Sequence, residues 1–341
     1  MKRIITLTIF TLTLPFLIFA ITQAAGDSAW KPQTQIKLPA KASSLSYSID
    51  GSRIAVGHPD GRVSICDAKS GTLTRSLNAH SKEVNTVQFI LQDSRLLTIG
   101  DDNRARLWST SDWSEVGLIE DAGFSGGVSP DGHWLAAQDS TQAIWIWDLS
   151  TLKRVKQLTE PGKGGTQNIT FTADGRYIAT AYSTPMLIDV ETKQAVSFVV
   201  AGEKKTKLTI EPTGRNQAVV SLGPLQEDDA PTHRVIPSRS GSLVALGRGW
   251  YGQSAFVDVW DVSMMKRVGR YKTKESGTLT SFSFDNSLFA VEGAEKVTIW
   301  RIAGSKQVAS LKADGIMQFS PKVMELAATD GDNLIIYALK P

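Results

Sequence analysis

The sequence predicts an all-β fold, a β-propeller of four-stranded antiparallel blades, and three observations carry this prediction. A short apolar strand that ends near an aromatic residue or its substitute recurs at intervals of 37 to 42 residues, with one interval of 72. A pair of apolar strands around a tight polar turn precedes each copy, and a further short strand follows several of them. Four short antiparallel strands in each period of about forty residues correspond to one propeller blade.

The recurring strand is the most regular of these elements. It reads VSICD at 63–67, IWIWD at 144–148 and VDVWD at 257–261. Apolar and polar residues alternate along it, as expected for a strand in a sheet. Seven copies are found, with the anchor residues Cys66, Trp108, Trp147, Ile188, Trp260, Trp300 and Tyr337.

The strand pairs before the anchors are hairpins, as YSIDGSRIAVG (47–57) and FTADGRYIATA (171–181) illustrate. Asp-Gly between apolar runs indicates a tight turn, because glycine readily adopts the positive φ that such turns need. Eight hairpins are present for only seven anchor strands. The sequence therefore predicts seven blades with a distorted unit near 205–233, and eight blades is the alternative.

The two ends of the chain predict how the ring closes. The last repeat stops after its third strand, LIIYAL (334–339), and has no outer strand of its own. The segment TQIKL (34–38) resembles the outer strands RVKQL (154–158) and QVASL (307–311). We therefore expect this N-terminal strand to complete the last blade, which removes the open edges of the ring.

The first 25 residues predict export. Lys2 and Arg3 precede an apolar stretch at 4–21, and small residues follow at Ala24 and Ala25, which is the layout of a secretory signal peptide. We expect cleavage there and one propeller domain at 26–341, in the periplasm or outside the cell. The alternative is an uncleaved membrane anchor formed by 4–21, because the stretch approaches the length of a membrane span.

Several residues carry a resemblance to the WD-repeat family, notably the pairs Trp147/Asp148 and Trp260/Asp261 and the SPDG-type turns. The resemblance covers nearly the whole mature chain and implies a role as a scaffold for protein partners. In that family a histidine between blades, a Ser or Thr, an Asp and the Trp form one hydrogen-bonded chain. The matching residues here are His80, Thr98, Asp102 and Trp108.

The same residues also raise the possibility of a catalytic site, since a His, a Thr and an Asp are the residue types of nucleophilic catalysis. Thr98 lies in the strand LLTIG, where its side chain is expected to face a neighbouring blade. The structural interpretation is therefore preferred, and no catalytic residue is predicted. Asp60, six residues before Cys66, is expected to keep one element of this chain in the first blade.

Composition excludes several other function classes. The chain has a net charge of +3 without a basic block, so neither nucleic acid nor an anionic membrane is an expected partner. Cys66 is the only cysteine, so no internal disulfide can form. His58, His133 and His233 have no ligand-like spacing and are expected at the surface, so no metal or other cofactor is predicted.

Two longer connections are the candidates for partner binding. The segment GRGWYGQS (247–254) carries aromatic residues among glycines, and GPLQEDDAPTH (223–233) is acidic. Both are assigned to connections between second and third strands, on one face of the ring, where aromatic residues in loops favour contact with a partner. The alternative is that Trp250 packs back onto a distorted blade. The candidate residues are Arg248, Trp250, Tyr251, Glu227, Asp228 and Asp229.

The function predicted from the sequence is therefore a non-enzymatic scaffold of the cell envelope, expected as a monomer, whose partner is a protein of unknown identity. The competing hypothesis is a propeller that binds a small ligand or hydrolyses a substrate in its central channel. That hypothesis requires carboxylates or histidines on the inner strands. Inner strands such as LSYSI, NITFT and TSFSF supply hydroxyl and apolar side chains instead.

Overall fold

The computed structural model describes most of the chain after residue 28, and all regular structure within that part is β-strand. The described residues are 29–162, 168–172, 175–181, 186–193, 195–199, 210–213, 217–221, 232–238, 240, 242–248, 255–261, 266–273, 280–293 and 296–339. Within them, no helix is long and apolar enough to cross a membrane.

The strands of the first half follow each other at short intervals. They are β1 (Trp30–Lys37), β2 (Ser44–Tyr47), β3 (Arg53–Gly57), β4 (Arg62–Asp67), β5 (Thr72–Asn78), β6 (Val84–Ile90), β7 (Arg95–Gly100), β8 (Arg104–Ser109), β9 (Glu115–Glu120), β10 (Gly123–Val128), β11 (Trp134–Gln138), β12 (Ile144–Asp148), β13 (Lys153–Gln157), β14 (Asn168–Phe171) and β15 (Tyr177–Ala181).

The second half continues the same succession. Its strands are β16 (Met186–Asp189), β17 (Ala195–Val199), β18 (Ile210–Thr213), β19 (Gln217–Ser221), β20 (Thr232–Pro237), β21 (Leu243–Arg248), β22 (Ala255–Asp261), β23 (Lys266–Thr273), β24 (Thr280–Phe282), β25 (Leu288–Glu292), β26 (Lys296–Arg301), β27 (Lys306–Lys312), β28 (Met317–Phe319), β29 (Glu325–Asp330) and β30 (Asn333–Leu339).

These strands form seven sheets, which are the seven blades of a β-propeller. Blades 1 to 3 are β2–β5, β6–β9 and β10–β13, and blades 5 and 6 are β20–β23 and β24–β27. The prediction of seven antiparallel blades is confirmed. Blade 4 explains why eight hairpins were counted: after β14–β17, the hairpin β18–β19 adds two strands to its outer edge, with β19 parallel to β17.

Blade 7 closes the ring, and the sequence prediction of its outer strand is confirmed. Strands β28, β29 and β30 come from the C-terminal part of the chain, and β1 pairs antiparallel with β30. The pairing runs from Trp30 opposite Leu339 to Lys37 opposite Asn333. Because this sheet joins the two ends of the chain, the ring is held by main-chain hydrogen bonds.

The hydrophobic core lies between neighbouring blades. Each of the seven clusters of buried apolar side chains joins two adjacent sheets, such as blades 1 and 2 around Val63, Phe89 and Leu96. Burying a large apolar side chain contributes about 1.5–3 kcal/mol. Five of the predicted anchor residues are buried in these layers: Cys66, Trp108, Trp147, Ile188 and Tyr337.

Strand direction defines two faces of the ring. We call the upper face the one where the first strand of each blade begins and the second strand ends. The lower face carries the turns between first and second strands, such as the turn around Gly51. The first strands line the central channel, and side chains link some of them: Gln318 accepts the N–H of Tyr47, and Ser281 accepts that of Phe319.

Candidate interaction site on the upper face

The four residues His80, Thr98, Asp102 and Trp108 meet in one hydrogen-bonded chain at the upper end of blade 2. The Nδ1 atom of His80 lies 2.8 Å from Oδ1 of Asp102, and its Nε2 atom lies 2.9 Å from Oγ1 of Thr98. The indole Nε1 of Trp108 donates to the same Thr98 oxygen over 3.0 Å. The chain links the connection before blade 2 to two of its strands and to the loop between them.

The carboxylate at one end of the chain determines which group donates in each hydrogen bond. An ionised carboxylate only accepts, so His80 carries its proton on Nδ1 and donates to Asp102. Its Nε2 atom is then an acceptor for the Thr98 hydroxyl, whose oxygen accepts from Trp108. Every group is thus satisfied by the next one, which matters because an unsatisfied buried polar group is costly.

Burial controls the charge of this chain. Desolvation lowers the pKa of His80, and the attraction of Asp102 only partly opposes it. Burial opposes ionisation of Asp102 as well. However, hydrogen bonds from His80, the Ser81 N–H and Arg106 outweigh that effect, so the pKa of this carboxyl is lowered. At neutral pH the chain therefore holds a neutral imidazole against a carboxylate.

Arg106 belongs to this site although the sequence reasoning did not include it. Its NH1 atom lies 3.2 Å from Oδ2 of Asp102, and its Nε atom lies 3.2 Å from Oε2 of Glu115. The guanidinium thereby compensates the buried carboxylate. The signal in the sequence was its place on β8, two residues before Trp108 and on the same side of the strand.

Gly100 leaves the space that His80 occupies. A Cβ atom at this position, the last of β7, would lie 2.6 Å from the imidazole ring. Real Cβ atoms do not approach other atoms so closely, so a larger residue here displaces the histidine. The second strand of blade 2 ends in glycine for this packing reason.

The Thr98 hydroxyl is not placed to act as a nucleophile. A nucleophile must be accessible to a substrate, but the side chain of Thr98 has no exposed surface and its oxygen serves both His80 and Trp108. The described residues contain no group of three or more His, Cys, Asp or Glu side chains arranged to hold a metal. The four residues therefore fix the loops of the upper face.

Two expectations for blade 1 are wrong. Asp60 does not join a buried network; it is exposed and pairs with Arg62. His58 is fully buried, with Nε2 at 2.8 Å from Oγ of Ser64 and Nδ1 at 3.0 Å from the carbonyl oxygen of Lys41. It is a core histidine because its loop folds over the upper end of the blade. His133 lies at the surface, and the side chain of His233 is outside the described residues.

Blade 3 satisfies its tryptophan by another route. Asp139 is buried and accepts the indole N–H of Trp145 over 2.9 Å, while its other oxygen accepts the N–H groups of Thr141 and Ala143. The carboxylate therefore binds the tryptophan directly, without a histidine. The sequence analysis did not include this shorter version in blade 3.

Phe124 is the most prominent apolar residue of the described upper face. Its side chain is 47% exposed, and its backbone has a φ of 62°, a left-handed conformation that is unusual for a bulky residue. It lies in a β-bulge of β10, where the pairing with β11 shifts between Gly123 and Gly126. The backbone therefore directs an aromatic ring into solvent.

The loop of the hydrogen-bonded chain supports this bulge. Asn103 follows Asp102, and its carbonyl oxygen accepts the N–H of Ala122 over 3.1 Å. A Cβ atom on Gly123 would lie only 2.6 Å from the side chain of Asn103, so the two loops are in close contact. The buried chain of blade 2 thus positions the strand that presents Phe124.

The predicted partner-binding residues Trp250, Tyr251, Glu227, Asp228 and Asp229 lie outside the described residues. Of Arg248 the backbone is described: it ends β21, opposite Thr232 on one side and Phe256 on the other. The assignment of 223–233 to a connection between second and third strands is wrong, because this segment leads from β19 into the first strand of blade 5. It nevertheless leads to the upper end of blade 5, because Thr232 at the start of β20 pairs with Arg248 at the end of β21, which 249–254 follows.

The described part of the central channel supplies few of the carboxylates and histidines that the hydrolytic hypothesis requires. At the lower face, the ends and turns of the first strands line a cavity of about 990 Å³. Among the described residues that line this cavity, Asp131 is the one carboxylate, and histidine, lysine and arginine are absent. The Asp131 carboxylate is already engaged by Ser129 and by the N–H of His133.

Comparison with known proteins agrees with the fold. The model of the anaphase-promoting complex subunit 4 WD40 domain matches residues 20–92, which include blade 1 and the first strand of blade 2. The chain is similar to WD40-repeat proteins. The β-propeller domain of Cps50 (Swd1) from Myceliophteria thermophila superposes with a TM-score of 0.70 over 91% of this chain and 100% of that domain. At 16% sequence identity, this likeness shows the fold alone.

Two curated relatives show the extent of the sequence similarity. Autophagy-related protein 16 of Arabidopsis thaliana is 28% identical over 125 residues, which are 35% of this chain and 25% of that protein. The DDB1- and CUL4-associated factor 11 homolog of Caenorhabditis briggsae is 26% identical over 130 residues, which are 35% of this chain and 24% of that protein. The matches therefore span about a quarter of these relatives.

Proposed function

We propose that this protein is a WD40-repeat scaffold that holds a protein partner on its upper face and performs no chemistry of its own. The observation that carries the proposal is Phe124: an exposed aromatic ring on a left-handed backbone, supported by a buried hydrogen-bonded chain. Left-handed backbone costs a bulky residue about 1–2 kcal/mol. Strain of this kind is usually kept where a side chain has a function.

We further propose that the segment with Trp250 and Tyr251, which follows β21 of blade 5, extends this surface. The segments around Trp250 and around Glu227 are joined to strand ends at the upper face, opposite each other in register at Arg248 and Thr232. Trp, Tyr and Arg are the residues most often found as anchors of protein interfaces. We assign Arg248, Trp250 and Tyr251 to the partner contact, with Glu227, Asp228 and Asp229 as an acidic rim.

The names of similar proteins support a protein as the partner. One match is to a subunit of the anaphase-promoting complex, and one relative is by name an associated factor of DDB1 and CUL4. Both names describe proteins in assemblies with other proteins. For this chain we propose the same kind of role, as a monomeric platform for a partner whose identity is open.

The proposed setting is outside the cytoplasm and rests on residues 1–25 alone. Lys2 and Arg3, the apolar stretch and the small residues near Ala25 support export with cleavage to a mature domain at 26–341. Intact mass of the protein purified from a cell envelope fraction tests this. A mature chain that begins after Ala24 or Ala25 is expected, and a full-length chain in the membrane fraction favours the anchor.

The partner surface is tested by affinity capture followed by direct binding. The tagged protein is compared with Phe124→Ala, with the double variant Trp250→Ala/Tyr251→Ala, and with the control Val155→Ala, an exposed residue on the outer strand of blade 3. A captured protein is then purified, and its affinity for each variant is measured. Loss of an interface anchor is expected to weaken binding by about tenfold or more, while the control binds normally.

Two results would contradict the proposal. One is a partner that binds all four proteins equally well. The other is a large fall in the melting temperature of the Trp250→Ala/Tyr251→Ala variant, which would show that Trp250 packs onto its own blade.

A further inference from the structure

The fourth strand of each blade lies at the outer rim of the propeller and is a potential open edge. These outer strands are β5, β9, β13, β17, β23, β27 and β1 in blades 1 to 7. An open edge presents unpaired backbone N–H and C=O groups that can pair with a strand of another chain. Natural sheets block such edges with β-bulges, charged side chains or proline. Six of these outer strands combine a bulge with a charged residue, and β17 of blade 4 has neither.

The bulges recur at one place in the repeat. In blades 1, 2, 3, 5 and 6 the pairing of the third and fourth strands shifts beside the anchor residue, as between Ile65 and Cys66 in blade 1. In blade 7 the pairing of β1 with β30 shifts between Pro32 and Thr34. In blade 4, β16 and β17 pair without a shift. Because a bulge bends a strand and interrupts its row of hydrogen-bonding groups, the edge of β17 is the regular one.

The outer strands also differ in charge. The six bulged strands each contain at least one charged residue, from a single arginine in β5 (Arg75) to four lysines and arginines in β23. Strand β17 reads AVSFV (195–199) and contains neither a charged residue nor a proline. Pairing at a charged edge removes water from charged side chains, which costs free energy. A strand that pairs with β17 avoids this cost.

The unprotected edge is the one that the chain itself covers. Strand β19 lies parallel to β17, with five pairs of residues in register. Strand β18 pairs antiparallel with β19 and becomes the outermost strand of the sheet. It contains Glu211 and Pro212, and a proline has no N–H to donate to a further strand. Charge and proline, which β17 lacks, therefore return at the edge that the hairpin creates.

Strand β19 shows which kind of strand this edge accepts. Its sequence QAVVS (217–221) is uncharged and contains two adjacent valines, which favour extended backbone. It runs parallel to β17, whereas two copies of one edge related by a two-fold axis normally pair antiparallel. The edge therefore fits an extended, uncharged strand of a different protein better than it fits a second copy of itself.

From this combination we infer that the outer edge of blade 4 is a strand-binding site that the β18–β19 hairpin covers and that a partner protein occupies when the hairpin leaves. The partner contributes an extended, uncharged strand that runs parallel to β17 and replaces β19, with main-chain hydrogen bonds as the source of affinity. The hairpin is an internal competitor that keeps the edge closed without the partner. This inference goes beyond the proposed function, because it concerns the outer rim and either surface can fail alone.

Binding of a synthetic peptide with the sequence of residues 215–222 tests the inference. Its affinity is measured for the original protein and for a replacement variant, in which glycine and serine replace residues 206–222 at unchanged chain length. We expect the peptide to bind the replacement variant about tenfold or more tightly than the original protein, because no hairpin competes for the edge. A control peptide with proline in place of Val219 is expected to bind neither protein, because it lacks a central N–H donor.

Two engineered disulfides test the same site in chains that keep the hairpin. Ser197→Cys/Val219→Cys ties β19 to β17, because these two residues lie opposite each other in the parallel pair. Glu211→Cys/Val219→Cys is the matched control, since it joins β18 to β19 and leaves the hairpin free to move off β17. The natural Cys66 is buried and does not compete. We expect the oxidised first variant to lose peptide binding and to regain it on reduction, while the control binds like the original protein.

Three results overturn the inference. The first is a replacement variant that melts cooperatively but binds the peptide no better than the original protein does. The second is failure of the Ser197→Cys/Val219→Cys disulfide to form. The third is a dimer of the replacement variant in sedimentation that excess peptide does not dissociate, which would make a second copy the occupant. If the replacement variant does not fold, the disulfide variants decide: equal peptide binding by both when oxidised, or no binding to the original protein, overturns the inference.

Discussion

Blades 1 and 2 each bury one histidine at their upper end, but they hold it in different ways. In blade 2, His80 comes from the connection before the first strand and lies between Thr98 on the second strand and Asp102. In blade 1, His58 comes from the loop after the second strand and lies between Ser64 on the third strand and the carbonyl of Lys41. Both imidazole rings lie between a loop and the upper end of the sheet, but His80 precedes the first strand of its blade and His58 follows the second strand.

The difference lies in where each chain of hydrogen bonds ends. The chain of blade 2 ends on a carboxylate that Arg106 and the Ser81 N–H also contact, so it is charged and connects four parts of the blade. The chain of blade 1 ends on a neutral backbone carbonyl. We therefore expect blade 2 to depend on its polar chain, while blade 1 depends more on the apolar packing around its histidine.

The largest expected effect is a difference in stability between variants of Asp102 and of Asp60. Each of these aspartates lies six residues before an anchor residue of the sequence repeat. Asp102→Ala leaves His80 and Ser81 without their acceptor and removes one of the two carboxylates that contact Arg106, so a loss of about 3 kcal/mol is expected. Asp60→Ala removes one exposed ion pair and is expected to cost less than about 1 kcal/mol. The side chains are 5% and 42% exposed. Urea unfolding of both variants measures the difference, and equal losses would contradict it.

The second effect concerns His58. His58→Ala leaves the fully buried hydroxyl of Ser64 without its partner, and an unsatisfied buried polar group costs about 1–3 kcal/mol. The double variant His58→Ala/Ser64→Ala removes both partners and should recover part of the lost stability. If the single variant unfolds like the original protein, the buried position of His58 is wrong.

The third effect tests the far end of the blade 2 chain. Trp108→Phe removes the donor to Thr98 but leaves the bond between Thr98 and His80, so a loss of about 1 kcal/mol is expected. Trp300→Phe is the matched control, because that indole donates to Thr298 on its own strand in a partly exposed position. Thermal unfolding of both variants should show the smaller change in the control.

The smallest effect is a pH dependence that both histidines share. Burial lowers the pKa of His58 and of His80 below the unfolded value near 6.5. As the pH falls below that value the unfolded chain binds protons first, so folding stability is complete above about pH 6.5 and declines toward the lower folded pKa values. The melting temperature should fall between pH 7 and pH 5.5 and fall less steeply in His58→Gln. An identical slope in that variant would contradict the role of His58.

The architecture was accessible from the sequence because its signals are local and repeated. Asp-Gly turns between alternating strands specify hairpins, and the missing outer strand of the last repeat specifies the closing role of β1. The place of β18–β19 was not accessible in this way. A hairpin signal states that two strands pair with each other, but the edge on which the pair then docks is decided by contacts far along the chain.

The candidate site was also only partly predictable from the sequence. The spacing of His80, Thr98, Asp102 and Trp108 follows a repeating pattern, so it could be read from the chain. His58 could not, because its partner Lys41 contributes a backbone carbonyl that any residue type possesses. The glycines around Phe124 hinted at irregular backbone, but the exposure of the ring depends on how Asn103 supports the bulge.

The most direct test of the central claim, that His80 is part of a buried scaffold, is ¹⁵N NMR of the histidine side chains between pH 5 and pH 8, with His80→Gln for assignment. We predict a neutral His80 with its proton on Nδ1, no titration near pH 6.5, and slow exchange of that proton with water. An imidazole that titrates near pH 6.5 and exchanges rapidly would be accessible to solvent, and it would contradict the structural role assigned to this chain.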